Sequence, residues 1–217
     1  MKVARIADIE PIPVVGGKLQ WRPVRRTLGI GAFGINAYSA DAGGLVIEEH
    51  DETGAGAGHH EELYVVVTGR AAFTVDGESF DAPVGTCVFL DDPKERRGAR
   101  AEEDGTTVLA IGGVRGQAFQ VSPWEFAFAS VPAWDAQRYG EAKTLLQEGL
   151  ELHPGNTSLL YDLACLEALM GDKDGALEHL REAAANPRLR EHALTDSDFD
   201  SLREDPRFTA ALDEGTA

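Results

Sequence analysis

The chain has 217 residues and a formal net charge of −17, with 43% apolar and 26% charged residues. That length serves one large domain or two small ones. Such acidity repels phosphate backbones and anionic lipid, which excludes nucleic acid and membrane surfaces as partners, and no apolar run approaches the ~20 residues of a membrane span.

The opening, "MKVARIADIEPIPVV", has neither the apolar core nor the small-residue cleavage site of a signal peptide. Two cysteines, Cys87 and Cys165, lie far apart and read as small buried residues in a reducing cytoplasm. Basic residues gather at Arg22, Arg25 and Arg26, and again around Arg96 and Arg97. "GIGAFG", Gly29 to Gly34, matches a dinucleotide-binding pattern, but that chemistry needs a helix next. "INAYSADAGG" follows and has no helical period, so no nucleotide cofactor is expected. From there to about residue 120 short runs of β-formers alternate with turns: "AFGINAYSA", "GLVIEEH", "ELYVVVTG", "RAAFTVDGESF", "TCVFL", "TTVLAIGG". That spacing predicts an all-β sandwich or barrel. Asp76-Gly77 predicts a tight hairpin, since both central positions of a type I′ turn need positive φ.

Within this half, "EEHDETGAGAGHHEELYVVVTG", residues 48–69, holds three histidines among many carboxylates. His50 and Glu52 alternate onto one face, and His60 and Glu62 do the same on the next strand. One or two imidazoles and two carboxylates could hold a divalent cation; they could equally line an empty acidic mouth. Tyr64 shares the face of Glu62, as a pocket hydroxyl or a core aromatic with its hydroxyl at the rim. Glu61 and His59 are expected in solvent.

The frame around these residues resembles the cupin family. Gly44 is followed by five residues and then His50-Asp51-Glu52; Glu62 is followed by six and then Gly69; Pro83-Val84-Gly85 precedes an apolar strand. Three departures stand out. Glu52 occupies the place of a second histidine, nine residues separate Glu52 from Glu62 where the family has three or four, and Arg96 stands where a histidine belongs. The resemblance implies a double-stranded β-helix, or jelly-roll barrel, over residues 1–120. It implies one divalent transition metal (Fe, Mn, Ni, Zn or Cu) on His50, Glu52, His60 and Glu62, with Glu62, His60 and Tyr64 as catalytic groups. A guanidinium cannot become a metal ligand, and its charge opposes a nearby cation. Placed opposite Glu62 or Glu52, Arg96 would pair with the carboxylate or hold an anionic group of a substrate.

From about Trp134 the period turns helical. Ala142, Leu146 and Gly149 return as Ala176, Leu180 and Ala183, each after 34 residues. That period, with small residues where helices cross, resembles the tetratricopeptide repeat. Residues 138–217 are therefore read as tetratricopeptide-like helical hairpins. Residues 121–137 are read as a packed apolar connector with a degenerate first helix, since Trp124, Phe126, Phe128, Val131 and Trp134 do not suit a flexible linker. The repeats are expected to serve homodimerisation or internal packing; docking of a separate protein is the alternative. The whole reads as a cupin-type protein with a small-molecule ligand in the barrel mouth, either a metal-assisted or an acid–base enzyme. The rival reading is a non-catalytic ligand sensor or scaffold whose repeats mediate association.

Overall fold

Ten strands and seven α-helices occupy the described residues, 1–54 and 56–214, of the computed structural model. In chain order these are β1 (Ile12–Val14), β2 (Leu19–Arg22), α1 (Val24–Leu28), β3 (Gly34–Ala40), β4 (Leu45–His50), β5 (Glu61–Thr68), β6 (Arg70–Val75), β7 (Glu78–Pro83), β8 (Cys87–Leu90), β9 (Arg97–Ala101) and β10 (Thr106–Gly113). The helices α2 (Pro123–Asp135), α3 (Tyr139–Leu152), α4 (Thr157–Met170), α5 (Lys173–Ala183), α6 (Pro187–Ala193) and α7 (Pro206–Glu214) follow. The chain divides into two units, Met1–Val121 and Ser122–Ala217. No described helix is long and apolar enough to cross a membrane.

The strands form one sheet in the order β7-β6-β9-β4-β2-β3-β10-β5-β8, with β1 added to β2. Pairing is antiparallel except for the single contact of β2 with β4. This is a strand-rich, curled sheet of the half-barrel kind that jelly rolls use. Side-chain alternation sets its inner face. Along β5, Glu62, Tyr64 and Val66 are buried while Leu63, Val65 and Val67 are half-buried. The Asp76-Gly77 turn has φ of 47° and 87° and joins β6 to β7 through the pair Val75 and Glu78, as its residue types require. Gly69 has φ of 70°, and a Cβ there would sit 2.4 Å from Thr106 Oγ1, so no other residue fits between β5 and β6.

One expectation needs correction. Cys87 is not a buried residue: Val88 and Leu90 point inward, whereas Cys87 and Phe89 are exposed at the end of the sheet order. The glycines of "GIGAFG" have ordinary structural duties. Gly29 ends α1 in the left-handed conformation and Gly34 opens β3. Helix α1 places Val24 and Leu28 against Ala37, Ile35 and Leu109, covering part of the sheet's outer face.

In the second unit, α2 packs on α3, α3 on α4 and α4 on α5. Asn156 and Asp172 cap α4 and α5 by accepting from Leu159 N–H and Gly175 N–H. The residues that recur after 34 positions are all buried at these crossings. Glu167 of α4 is buried and ties three helices together, accepting from Lys143 Nζ of α3 at 2.9 Å and from His179 Nδ1 of α5 at 2.7 Å. Burial works to raise the Glu167 pKa, but bonds to His179 and Lys143 hold it below 4.5. The bond to Glu167 raises His179 above 6.5, against a smaller effect of burial.

The signs define a stability window. The contribution of Glu167 is present above its unfolded value and fades as pH falls through its lowered folded value; that of His179 is complete below 6.5 and fades as pH rises through its raised one. Glu167→Gln is therefore expected to lose roughly 1 kcal/mol near pH 6, part of that at pH 9, where Lys143 still pairs with Glu167, and little at pH 3. Urea unfolding at the three pH values checks this, and an equal loss at all three contradicts it.

Candidate functional site

The site lies where the ends of β4, β5 and β9 meet. His50 closes β4 and pairs in register with Arg97, the first residue of β9. Glu62 and Tyr64 are successive inward residues of β5, facing Leu90 and Val88 of β8. Glu52 follows β4 in a turn held by its backbone N–H, which donates to Pro93 O at 2.8 Å. On the other side of β5, Gly112 of β10 pairs with Glu62. A Cβ on Gly112 would lie 3.3 Å from both Glu62 Cγ and His60 Cβ, so the glycine makes room for the site.

His50, Glu52 and Glu62 offer three ligand atoms within 4.8 Å of one another. His50 Nε2 is 3.6 Å from Glu52 Oε1 and 3.9 Å from Glu62 Oε2. Its Nδ1 is 2.7 Å from Glu48 O. A carbonyl only accepts, so Nδ1 carries a hydrogen and Nε2 is the nitrogen turned towards the two carboxylates. Glu52 Oε2 accepts from Gly58 N–H at 3.0 Å. Glu62 Oε2 is the hub: it accepts the Tyr64 hydroxyl and lies 3.6 Å from Arg97 Nε.

Charge is tuned by this packing. Burial raises the Glu62 pKa, the charge of Glu52 adds to it, and Tyr64, His50 and Arg97 together do not cancel the rise. For Glu52 burial also acts upward, but the bonds from His50 and Gly58 bring the net shift below the ordinary value. Two neighbouring carboxylates are thus driven apart, Glu52 below and Glu62 above the ordinary value. Burial would lower His50, yet Glu52, the Glu48 carbonyl and the charge of Glu62 leave it raised. Burial and the adjacent Glu62 charge push Tyr64 well up.

Two of the expected site residues stand differently. His60 is buried on the same face as Glu62, with its backbone nitrogen 3.5 Å from Glu52 Oε2, but its ring packs on Phe119 at 5.8 Å and is not among the three converging ligands. Burial lowers its pKa, against the charge of Glu52. Arg96 does not face the carboxylates of the site. It is 57% exposed and pairs with Glu49 at 2.6 Å on the outer surface. Its neighbour Arg97 takes the inner place and is 0% exposed. The reason is register: along β9 Arg97, Ala99 and Ala101 point inward, and one residue of slip reverses every side chain. The alternation of small residues in "RGARA" carries this signal, since alanines at two-residue spacing mark the inner face on which Arg97 also falls.

The donor set fits a divalent cation. It offers one imidazole nitrogen and two carboxylates, with the Arg97 guanidinium 3.6 Å from Glu62 Oε2. A second group in the helical unit, Cys165 with Asp196 and Asp198, also brings ligand atoms within 4.8 Å. Tyr161 there donates to Asp196 at 2.8 Å.

No protein-family model and no curated protein matches the chain. Among solved structures it is similar to a "predicted oxalate decarboxylase" from Thermotoga maritima, at 17% identity over 51% of this chain and 97% of that one, with a TM-score of 0.41. It is similar to a cupin 2 conserved barrel domain protein from Salinispora arenicola, at 17% identity, covering 53% and 90% of the two chains, with a TM-score of 0.41. It is also similar to KdgF from Halomonas sp., at 16% identity, covering 50% and 86%, with a TM-score of 0.39.

Proposed function

We propose that the N-terminal unit is a cupin-type barrel that binds a small molecule at its mouth and acts as a metal-assisted or acid–base enzyme. The observation that carries this reading is the convergence of His50, Glu52 and Glu62 on one another, with Tyr64 and Arg97 against the same Glu62 oxygen. The cupin-like spacing of Gly44, His50, Glu62, Gly69 and Pro83-Val84-Gly85 supports it from sequence.

His50 Nε2, Glu52 and Glu62 would hold a divalent transition metal. Such an ion, when bound, polarises an oxygen group of the substrate. The protein groups do the rest. In the metal-free, acid–base form Glu62, whose pKa burial and the charge of Glu52 raise, takes or hands over a proton at its carboxyl instead. The Tyr64 hydroxyl fixes which way that carboxyl faces. Glu52 stays ionised and keeps His50 oriented.

Metal analysis of protein purified without a histidine tag tests the reading. Wild type is expected to carry close to one equivalent of a transition metal, and His50→Ala is expected to lose it. No metal in either protein, after supply of Mn, Fe, Ni, Zn and Cu salts, removes the metal-assisted form.

A second reading keeps the barrel as a non-catalytic ligand sensor or scaffold and gives the tetratricopeptide-like helices an association role, as a homodimer or with a separate protein. The large apolar side chains that α3 and α4 leave exposed, Leu152, Leu169 and Met170, favour it. Sedimentation of the intact chain separates monomer from dimer.

A further inference from the structure

Arg97 is the least explained group in the barrel. Its side chain is fully buried, and none of its three nitrogens makes a hydrogen bond to a described residue. The nearest carboxylate oxygen, Glu62 Oε2, is 3.6 Å from Nε and already accepts the Tyr64 hydroxyl. A guanidinium has five N–H donors in a planar fork and cannot shed its proton to escape the cost of burial. A buried charge left this way is destabilising unless something supplies acceptors.

We propose that Arg97 anchors a carboxylate-binding subsite at the floor of the barrel mouth. The inference rests on the reading of that mouth as a small-molecule pocket and names the class of ligand it takes. A carboxylate brings two coplanar acceptors spaced for the guanidinium fork, together with the missing negative charge. Phosphate is less suited. Two carboxylates, Glu52 and Glu62, already stand within 4.8 Å of His50 Nε2, and a second unit of negative charge on the ligand meets their repulsion. With the guanidinium sealed and only His50, 37% exposed, at the rim, the ligand that fits the proposal is a compact monocarboxylate, of formate to acetate dimensions. The carboxylate end meets Arg97, and the rest of the molecule lies towards His50 and Glu62.

The test uses the full chain after chelator treatment, so that an added acid cannot bind through a metal. Formate, acetate and inorganic phosphate are titrated against chloride of equal ionic strength, with thermal unfolding and calorimetry as readouts. Formate or acetate is expected to bind saturably and to raise Tm by about 5 °C or more at a hundredfold excess over Kd. Arg97→Met is expected to weaken that binding at least tenfold while leaving the ligand-free Tm no lower than wild type, because an unpaired buried charge is gone. Arg97→Lys, which keeps the charge without the fork, is expected to fall between. The proposal is overturned if neither acid shifts wild type beyond chloride, if Arg97→Met binds as tightly as wild type, or if phosphate binds more tightly than both acids. Should Arg97→Met fail to fold, the wild-type titration and Arg97→Lys decide: unchanged affinity in Arg97→Lys also overturns it. Metal content measured on untreated wild type separates the two ideas. Metal without any carboxylate response removes the subsite and leaves the metal site standing; a carboxylate response without metal supports the subsite and removes the metal.

Discussion

Replacing Glu62 by alanine is expected to cost the barrel about 3–5 kcal/mol, and adding Arg97→Met to the same chain is expected to recover most of that loss. Glu62 is the nearest counter-charge to a guanidinium with no solvent exposure. Alanine leaves that charge alone in a low-dielectric interior and strands the Tyr64 hydroxyl as well. Removing the guanidinium too converts the pair into apolar packing, which buried ion pairs commonly tolerate. Glu62→Gln refines the experiment. Its amide oxygen can still accept from Tyr64, so its loss isolates the charge from the hydrogen bond. Denaturant unfolding of the two single variants and the double variant gives a coupling energy, expected to be about 2 kcal/mol or more. A Glu62→Ala protein within about 1 kcal/mol of wild type would show that the interior pair is not felt energetically.

The second large effect is expected in α3, where two glycines should respond with opposite sign. A Cβ on Gly149 would lie 2.8 Å from Leu159 Cδ1 and 2.9 Å from Phe126 Cγ, so α2 and α4 both press on this position. Gly149→Leu is expected to cost about 3 kcal/mol or more, because overpacking at a close helix crossing cannot relax on either side. Gly140, in the first turn of the same helix, has nothing within 4 Å of an added Cβ. Gly140→Ala is expected to gain about 0.5–1 kcal/mol by restricting the unfolded chain and favouring helix. Helical circular dichroism during urea unfolding reads both. If the two substitutions change stability in the same direction, the crossing is looser than these distances imply.

Legibility in the sequence followed the strength of local pattern. Long runs with a clean period, such as "ELYVVVTG" and "SLLYDLACLEALM", gave β5 and α4, and the Asp76-Gly77 pair marked its hairpin. Strands β1, β2 and β9 left weaker marks, being three to five residues long and, in β9, built from arginine, glycine and alanine. That weakness is what exchanged Arg96 for Arg97. A motif position found by counting from Gly85 is good to within a residue, and one residue is the difference between the two faces of a strand. His60 was placed beside Glu62 by the same alternation. Alternation cannot foresee that the ring turns to Phe119, which arrives from 59 residues further along the chain.

The two thiols offer a clock for each half of the molecule. Cys87 is open to reagent on β8, whereas Cys165 is sealed inside α4 at 2% exposure. A thiol-specific dye added to native protein should tag the first within mixing and reach the second only when the helices part. The lag between the two modifications then measures how often the helical half opens, by local or by global unfolding.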